Sequence, residues 1–359
     1  MMVQDGVRLL TTRGPIAPQQ QPSRCPSWPC PVGRPTSPFA VLVIVSHSFS
    51  LLGHPEPIYA GVPLGGWAVA GFFTISGYLI PRARLHTDLG TFLLRRARRI
   101  YPAFWACCAI IALIASPIAA HLTGATYLPR AALTYVVTNA STFITQQTIG
   151  DETAGAPAGL VMWNGPAWTL VFELLCYLIA GSTLTLATAR RHQTTVALAT
   201  YAIATTSAIT TDNQHGLGWF VALFAAGWVI STRADHIRPT RGTTRIALAF
   251  AVAMAMVHPA LAAIPLAYAI LAGGALLPVR QFRTNDISYG TYLYGWPTQQ
   301  LLIVLGVDAQ GIGIFLPVAV GVAMFAGTAS WFLLERRLLP RRAQVVAAPA
   351  ASQALNQLV

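Results

Sequence analysis

Long apolar runs broken by short polar turns dominate the chain. Ten runs are long enough to span much or all of a bilayer core of about 30 Å: residues 37–54, 64–80, 101–120, 166–188, 194–211, 216–232, 246–260, 262–278, 287–306 and 313–334. In lipid a backbone must satisfy its own polar groups, and runs of this length do so as helices. The pattern predicts an all-α polytopic membrane protein of about ten transmembrane helices. Residues 131–146 are also fairly apolar, but short and interrupted by Asn139, Ser141 and Thr142.

The arginines decide whether that short stretch crosses. If it does not, the arginines at 82–99, 190–191, 233–245, 280–283 and 336–342 fall on one face, leaving Arg130 on the other. If it crosses, the clusters split between both faces, against the positive-inside rule. The stretch is therefore read as a re-entrant or interfacial piece of an outer loop, 121–165, that also carries Asp151 and Glu152. The expectation is a multi-pass cell-membrane protein with both termini in the cytoplasm.

Composition sharpens this picture. The 359 residues are 54% hydrophobic and 9% charged, against about 25% charged in soluble domains. The net charge of +12 is no nucleic-acid signal, because the positives sit in short loops between apolar runs. All 23 basic residues are arginine, read as a codon-composition bias. Residues 1–38 are rich in Pro, Gln, Arg and Ser and predict a disordered tail without a signal peptide. The membrane domain is expected over 39–342 and a flexible Ala/Gln tail over 343–359. Cys107, Cys108 and Cys176 lie in apolar runs, Cys25 and Cys30 in the tail. No metal-ligand spacing appears, so small buried thiols are expected rather than a disulfide framework.

Few groups inside the runs can carry chemistry. His47 stands about 16 Å into its span, where an imidazole needs a hydrogen bond or a wet cavity. It suits proton transfer near neutrality; the bland alternative is a packing hydrogen bond. Glu173 is the one carboxylate well inside a span, about 10 Å below the outer face and within about a helical turn of His47 in depth. A contact would fix the tautomer and raise the basicity of the ring; the alternative is a bond to a nearby hydroxyl or arginine. Arg95, Arg96, Arg98 and Arg99 precede the span at Tyr101. Arg96 and Arg99 share a helical face, and two guanidinium forks suit a phosphate, although such clusters usually only set topology. Ser76, Trp168, Tyr292 and Trp296 are candidates to line a substrate site. The aromatic run 289–296 reads more simply as an interfacial belt, and Glu335 as a local partner of Arg336 and Arg337. His54, His121 and His215 read as loop or interface residues, and His258, before Pro259, as structural.

Six segments in order resemble integral-membrane acyltransferase family 3, whose members O-acylate sugars, glycans and antibiotics: VLVIVSHSF, GWAVAGFFTISGYLI, FLLRRARRIYPAFW, WNGPAWTLVFELLCYL, ISYGTYLYGWP and SWFLLERRLLP. The resemblance covers roughly 39–340. It implies a ten-helix unit that uses acetyl-CoA or another acyl-CoA as donor, without a metal. It implies that His47 is the catalytic histidine of the first helix, that Arg96 and Arg99 are the paired arginines holding the donor, and that Glu173 is the motif glutamate, with Thr169 where the family has Ser. One position departs: Thr36 stands where the family carries an arginine, and Arg34 lies two residues further back. One explanation is that residues 1–38 are not the natural start.

The leading expectation is a membrane O-acyltransferase acting on a carbohydrate or glycosylated acceptor, with His47 as base or acyl carrier. Its partners are the lipid bilayer, acyl-CoA and that acceptor, with no nucleic acid. It requires a cavity joining the imidazole to the guanidiniums. The alternatives are a permease with a His47–Glu173 proton relay and an inactive family member.

Overall fold

The computed structural model describes residues 36–150, 162–211, 216–276 and 286–338. Most of the predicted tails, with Cys25 and Cys30, lie outside these residues, as do Asp151, Glu152, His215, Arg280 and Arg283.

Each of the ten predicted runs coincides with a helix. The elements are α1 Ser37–Leu51, α2 Leu64–Leu85, α3 Leu89–Ile110 continued through a π-turn into α4 Ser116–Thr123, α5 Pro129–Thr138, α6 Thr169–Thr183, α7 Ala187–Arg191, α8 Gln193–Thr210, α9 Leu217–Arg233, α10 Arg241–Val257, α11 Ala263–Leu276, α12 Ser288–Val304, α13 Ile312–Ser330 and the short α14 Arg336–Leu338. Five helical stretches are long and apolar enough to cross a membrane: Leu64–Leu85, Leu89–Thr123, Gly165–Thr183, Pro259–Leu276 and Ile312–Leu338. Ser37–Leu51 and Leu217–Arg233 are shorter apolar helices. The protein is all-α and of membrane type. α5 has ten residues, about 15 Å of rise, half the thickness of a bilayer core.

Helices approach most closely where glycines face each other. A Cβ on Gly77 of α2 would stand 1.9 Å from the Phe224 carbonyl of α9, and one on Gly227 of α9 would stand 2.1 Å from the Thr74 carbonyl of α2. The two backbones thus touch, the small-residue packing that replaces a hydrophobic drive in lipid. Gly290 and Gly327 do the same for α12 and α13.

α12 is the buried axis of the arrangement. Tyr292, Tyr294 and Trp296 are all buried, so the predicted interfacial belt is instead interior. The reason is the packing of α1, α13 and α3 around this helix. On one face of α12, Tyr289, Tyr292, Trp296 and Gln299 follow the i, i+3, i+7, i+10 spacing of a helical stripe. The non-helical backbone of 162–164 lies against the middle of α12, where the Met162 carbonyl accepts from Trp296 Nε1 at 2.6 Å. Irregular backbone at that depth is tolerated because protein surrounds it.

A two-residue hairpin links α1 to α2. β1 Ile58–Tyr59 pairs with β2 Val62–Pro63, and Ala60 and Gly61 both have positive φ, as a type I′ turn requires. Tyr59 Oη donates to the Val252 carbonyl at 2.7 Å, pinning the loop to α10.

Candidate active site

α1 carries His47 half-buried in the bundle. Its ring meets Trp296 edge-on, with centroids 4.9 Å apart and planes at 82°. A Cβ on Gly65, in the first turn of α2, would stand 3.6 Å from His47 Nε2 and 3.2 Å from Ser46 Oγ. Ser46 Oγ accepts from the Gly65 N–H at 2.6 Å. A side chain at Gly65 would crowd Ser46 and touch the ring nitrogen of His47. Among the described residues no hydrogen bond reaches either nitrogen of His47.

The predicted partner is engaged elsewhere. Glu173 Oε1 accepts from Ser76 at 3.2 Å and from the Tyr177 hydroxyl. Similar depth along two helices does not fix their rotation, and α6 turns Glu173 toward α2. The bond to a nearby hydroxyl, weighed as the alternative, is the one formed. Ser76 therefore meets Glu173 rather than an open cavity.

A different carboxylate stands beside α1. Glu56, in the loop before the hairpin, accepts from Ser50 Oγ at 2.8 Å and from Ser46 Oγ. Its sequence signal was the i, i+4 pair Ser46 and Ser50 inside an apolar run, which marks one polar face of a helix.

The arginine cluster divides. Arg99 is enclosed: Nη1 donates to Glu335, and Nη2 to Asp286 at 2.8 Å. Its guanidinium also lies over Tyr289 at 5.2 Å and Trp331 at 5.7 Å. Arg95 and Arg98 are exposed. Arg96 is half-buried, within electrostatic reach of Tyr177, and its Nε is buried with no partner among the described residues. The two arginines that share a face in sequence thus differ: Arg99 is saturated by carboxylates and Arg96 is not.

Glu335 was expected to pair with Arg336 or Arg337. It is buried and binds Arg99 and Ser330 instead. A π-turn at Trp331–Glu335 supplies the rotation, because the extra residue in the turn shifts the helix register. Enclosure is the strongest single influence and raises the Asp286 carboxyl, but the Arg99 guanidinium and the bonds from Ser288 and Arg99 together outweigh it and hold that group below the usual carboxylate range. Ser288 donates to Asp286 at 2.6 Å and accepts from Thr36, so Thr36 reaches the arginine cluster through two hydroxyl bonds.

Between the two polar regions lies Tyr292. Its hydroxyl bonds Thr169 Oγ1 at 2.6 Å and donates to the Pro166 carbonyl at 2.9 Å, and its ring packs edge-on against Phe72 at 5.7 Å. Trp168 is 41% exposed and packs on Phe172 and Phe220, away from Trp296. A cavity of about 340 Å³ opens between α3, α12 and α13, with Cys107, Tyr294, Pro297, Thr298, Leu301 and Ser330 in its wall. Neither His47 nor Arg96 lines it, so it is not the expected passage. Cys107, Cys108 and Cys176 are free and buried, as predicted. His258 caps the turn after it by accepting from the Ala260 N–H, the structural role expected of it.

The helical architecture, with five stretches long and apolar enough to cross a bilayer, is that of a membrane protein. A family model described as an acyltransferase domain matches residues 39–336, and the chain belongs to this family, acyltransferase family 3. It is an enzyme that transfers acyl groups. An O-acetyl transferase of Shigella phage Sf6 is 27% identical over 323 residues, covering 84% of this chain and 93% of that protein. No solved structure matches.

Proposed function

We propose that this protein is a multi-pass membrane O-acetyltransferase, its ten long helices crossing the bilayer with both termini in the cytoplasm. It moves the acetyl group of acetyl-CoA to a hydroxyl of a carbohydrate or glycosylated small molecule. The relative named O-acetyl transferase supports the acetyl group. With 131–146 not crossing, every described arginine except Arg130 falls on one face, which supports a cytoplasmic donor side.

The observation that carries the reading is the stripe on α12. Tyr289 touches Arg99 and Trp296 touches His47, and the seven steps from one to the other are about 10 Å of helix. A donor held at the arginines by its phosphates can therefore extend its thioester toward the ring. Arg96, with Arg95 and Arg98, supplies the phosphate contacts; Arg99 holds α3, α12 and the end of α13 together and shapes the same surface.

His47 acts as general base. Its ring nitrogen takes the proton of the acceptor hydroxyl as the oxygen attacks the thioester carbonyl. The carbon–sulfur bond breaks, an ester forms, and the proton passes to the departing thiolate. Ester and free thiol are the products, with no change of redox state. Trp296 orients the imidazole by its edge-on contact. Glu173 acts at one remove, setting Ser76 and Tyr177 beside Arg96 on the donor side.

Membrane enzymes belong to this family, so the proton-relay permease is set aside. The test is acetyl transfer from labelled acetyl-CoA by membranes carrying the protein, together with mass spectrometry of surface glycans and secreted metabolites in a deletion strain and its parent. His47-dependent turnover and loss of an acetyl mass from one acceptor are the expected results. Equal turnover in membranes with and without the protein sinks the proposal.

A further inference from the structure

We propose that Glu56 is a positioning residue for the acceptor, and that it selects a neutral polyhydroxylated acceptor over an anionic one. The inference rests on His47 being the reacting centre, as argued above.

Glu56 is tied to the helix that carries His47 by two bonds, from Ser46 and Ser50. Ser50 is one turn beyond His47, and residues three apart on a helix have Cβ atoms about 5–6 Å apart. At 100° per residue Ser50 lies only about 60° around the helix from His47. Ser46 and His47 Nε2 both border the space left at Gly65. Glu56, Ser46, Gly65 and His47 therefore lie together at one place beside α1.

The carboxylate has spare capacity. Two oxygens offer about four acceptor sites, and the two serines use two. Glu56 is half-buried, so part of its side chain stays accessible from outside the bundle. A carboxylate there accepts from hydroxyls of a sugar and repels a uronate or other acid. The charged groups described at this end of the bundle are Glu56, Arg130 and Asp308, of which Glu56 alone is bonded to the helix of His47. The hairpin turn and the Tyr59–Val252 bond hold the loop in place, as a specificity element requires.

The experiment compares membranes carrying wild type, Glu56→Gln, Glu56→Asp and His47→Asn. Each receives labelled acetyl-CoA with neutral methyl glycosides or with the corresponding methyl uronosides, and the ester formed is measured. We expect Glu56→Gln to raise the KM for the neutral glycoside about tenfold, leave the KM for acetyl-CoA within about twofold, and bring the neutral-to-anionic preference close to one. Glu56→Asp should keep that preference. An unchanged acceptor KM and preference in Glu56→Gln overturn the inference, as does a wild type that esterifies no neutral glycoside. A loss confined to kcat, or shared equally by both substrates, marks Glu56 as a loop staple and overturns it too. The underlying reading fails separately: acetyl-CoA turnover would then be the same in His47→Asn as in wild type.

Discussion

The two polar ends of the bundle are built on opposite rules. At the arginine end charge is met by charge: Arg99 is gripped by Glu335 and Asp286 and roofed by Tyr289 and Trp331. At the Glu56 end a charge is met by hydroxyls: Glu56 takes its bonds from Ser46 and Ser50, and the neighbouring imidazole takes none among the described residues. The first arrangement fixes helices that are far apart in sequence. The second leaves acceptor sites and a ring nitrogen free for a visiting molecule. A buried charge pair is costly to break because the survivor is stranded, whereas a hydroxyl-bound carboxylate at the rim keeps part of its hydration. The contrast also separates Arg96 from Arg99, which the sequence presents as equivalent.

The sharpest way to break the contrast is at the ring. His47→Asn should lower acetyl transfer by about 10²–10⁴-fold, the range of general acid–base catalysis, with the folded yield in detergent unchanged. Wild-type turnover in that variant would remove the reacting centre from this end altogether.

Next is the ion pair. Glu335→Ala leaves Arg99 with Asp286 as its one carboxylate partner and should cost about 1–3 kcal/mol of stability, read as a fall in unfolding temperature in detergent and in folded yield. The exchange Arg99→Glu with Glu335→Arg should restore part of it. If Glu335→Ala unfolds at the wild-type temperature, Arg99 is not the clamp described here.

Arg96→Ala should keep the fold and raise the acetyl-CoA KM about tenfold, close to 1.4 kcal/mol of binding. Arg95→Gln and Arg98→Gln, both exposed, should each change it less than about threefold, within the ±0.5 kcal/mol or so typical of surface changes. An Arg96 variant with an unaltered donor KM would return the donor role to Arg99.

The smallest effect is on pH. The Asp286 carboxyl is held below its usual range by Arg99, so its contribution is present at neutral pH and is lost as the solution is acidified below the usual carboxylate pKa of about 4. Unfolding temperature against pH should show a small extra acid sensitivity in wild type that Asp286→Asn lacks.

Much of the architecture was legible in the chain. The ten apolar runs each became a helix, because hydrophobic length and the need to satisfy backbone polar groups are local properties. The family followed from six ordered segments, and the buried free thiols from their apolar surroundings. His47 was legible as well, since an ionisable ring deep in an apolar run stands out by composition alone. The 131–146 stretch, short and interrupted in sequence, forms only the ten-residue α5.

Partnership was not legible. Glu173 and His47 agreed in depth, yet α6 presents the carboxylate to Ser76 and Tyr177. Glu335 stands next to two arginines in sequence and bonds a third, Arg99, across the bundle, because a π-turn rotates it inward. Tyr292 and Trp296 read as belt residues and became the buried stripe that links both polar ends. Periodicity fixes which residues share a face of one helix. Which neighbouring helix that face meets, and at what rotation, is settled only when all the helices pack, since glycine contacts such as Gly77 with Phe224 and Gly227 with Thr74 set those rotations between segments distant in the chain.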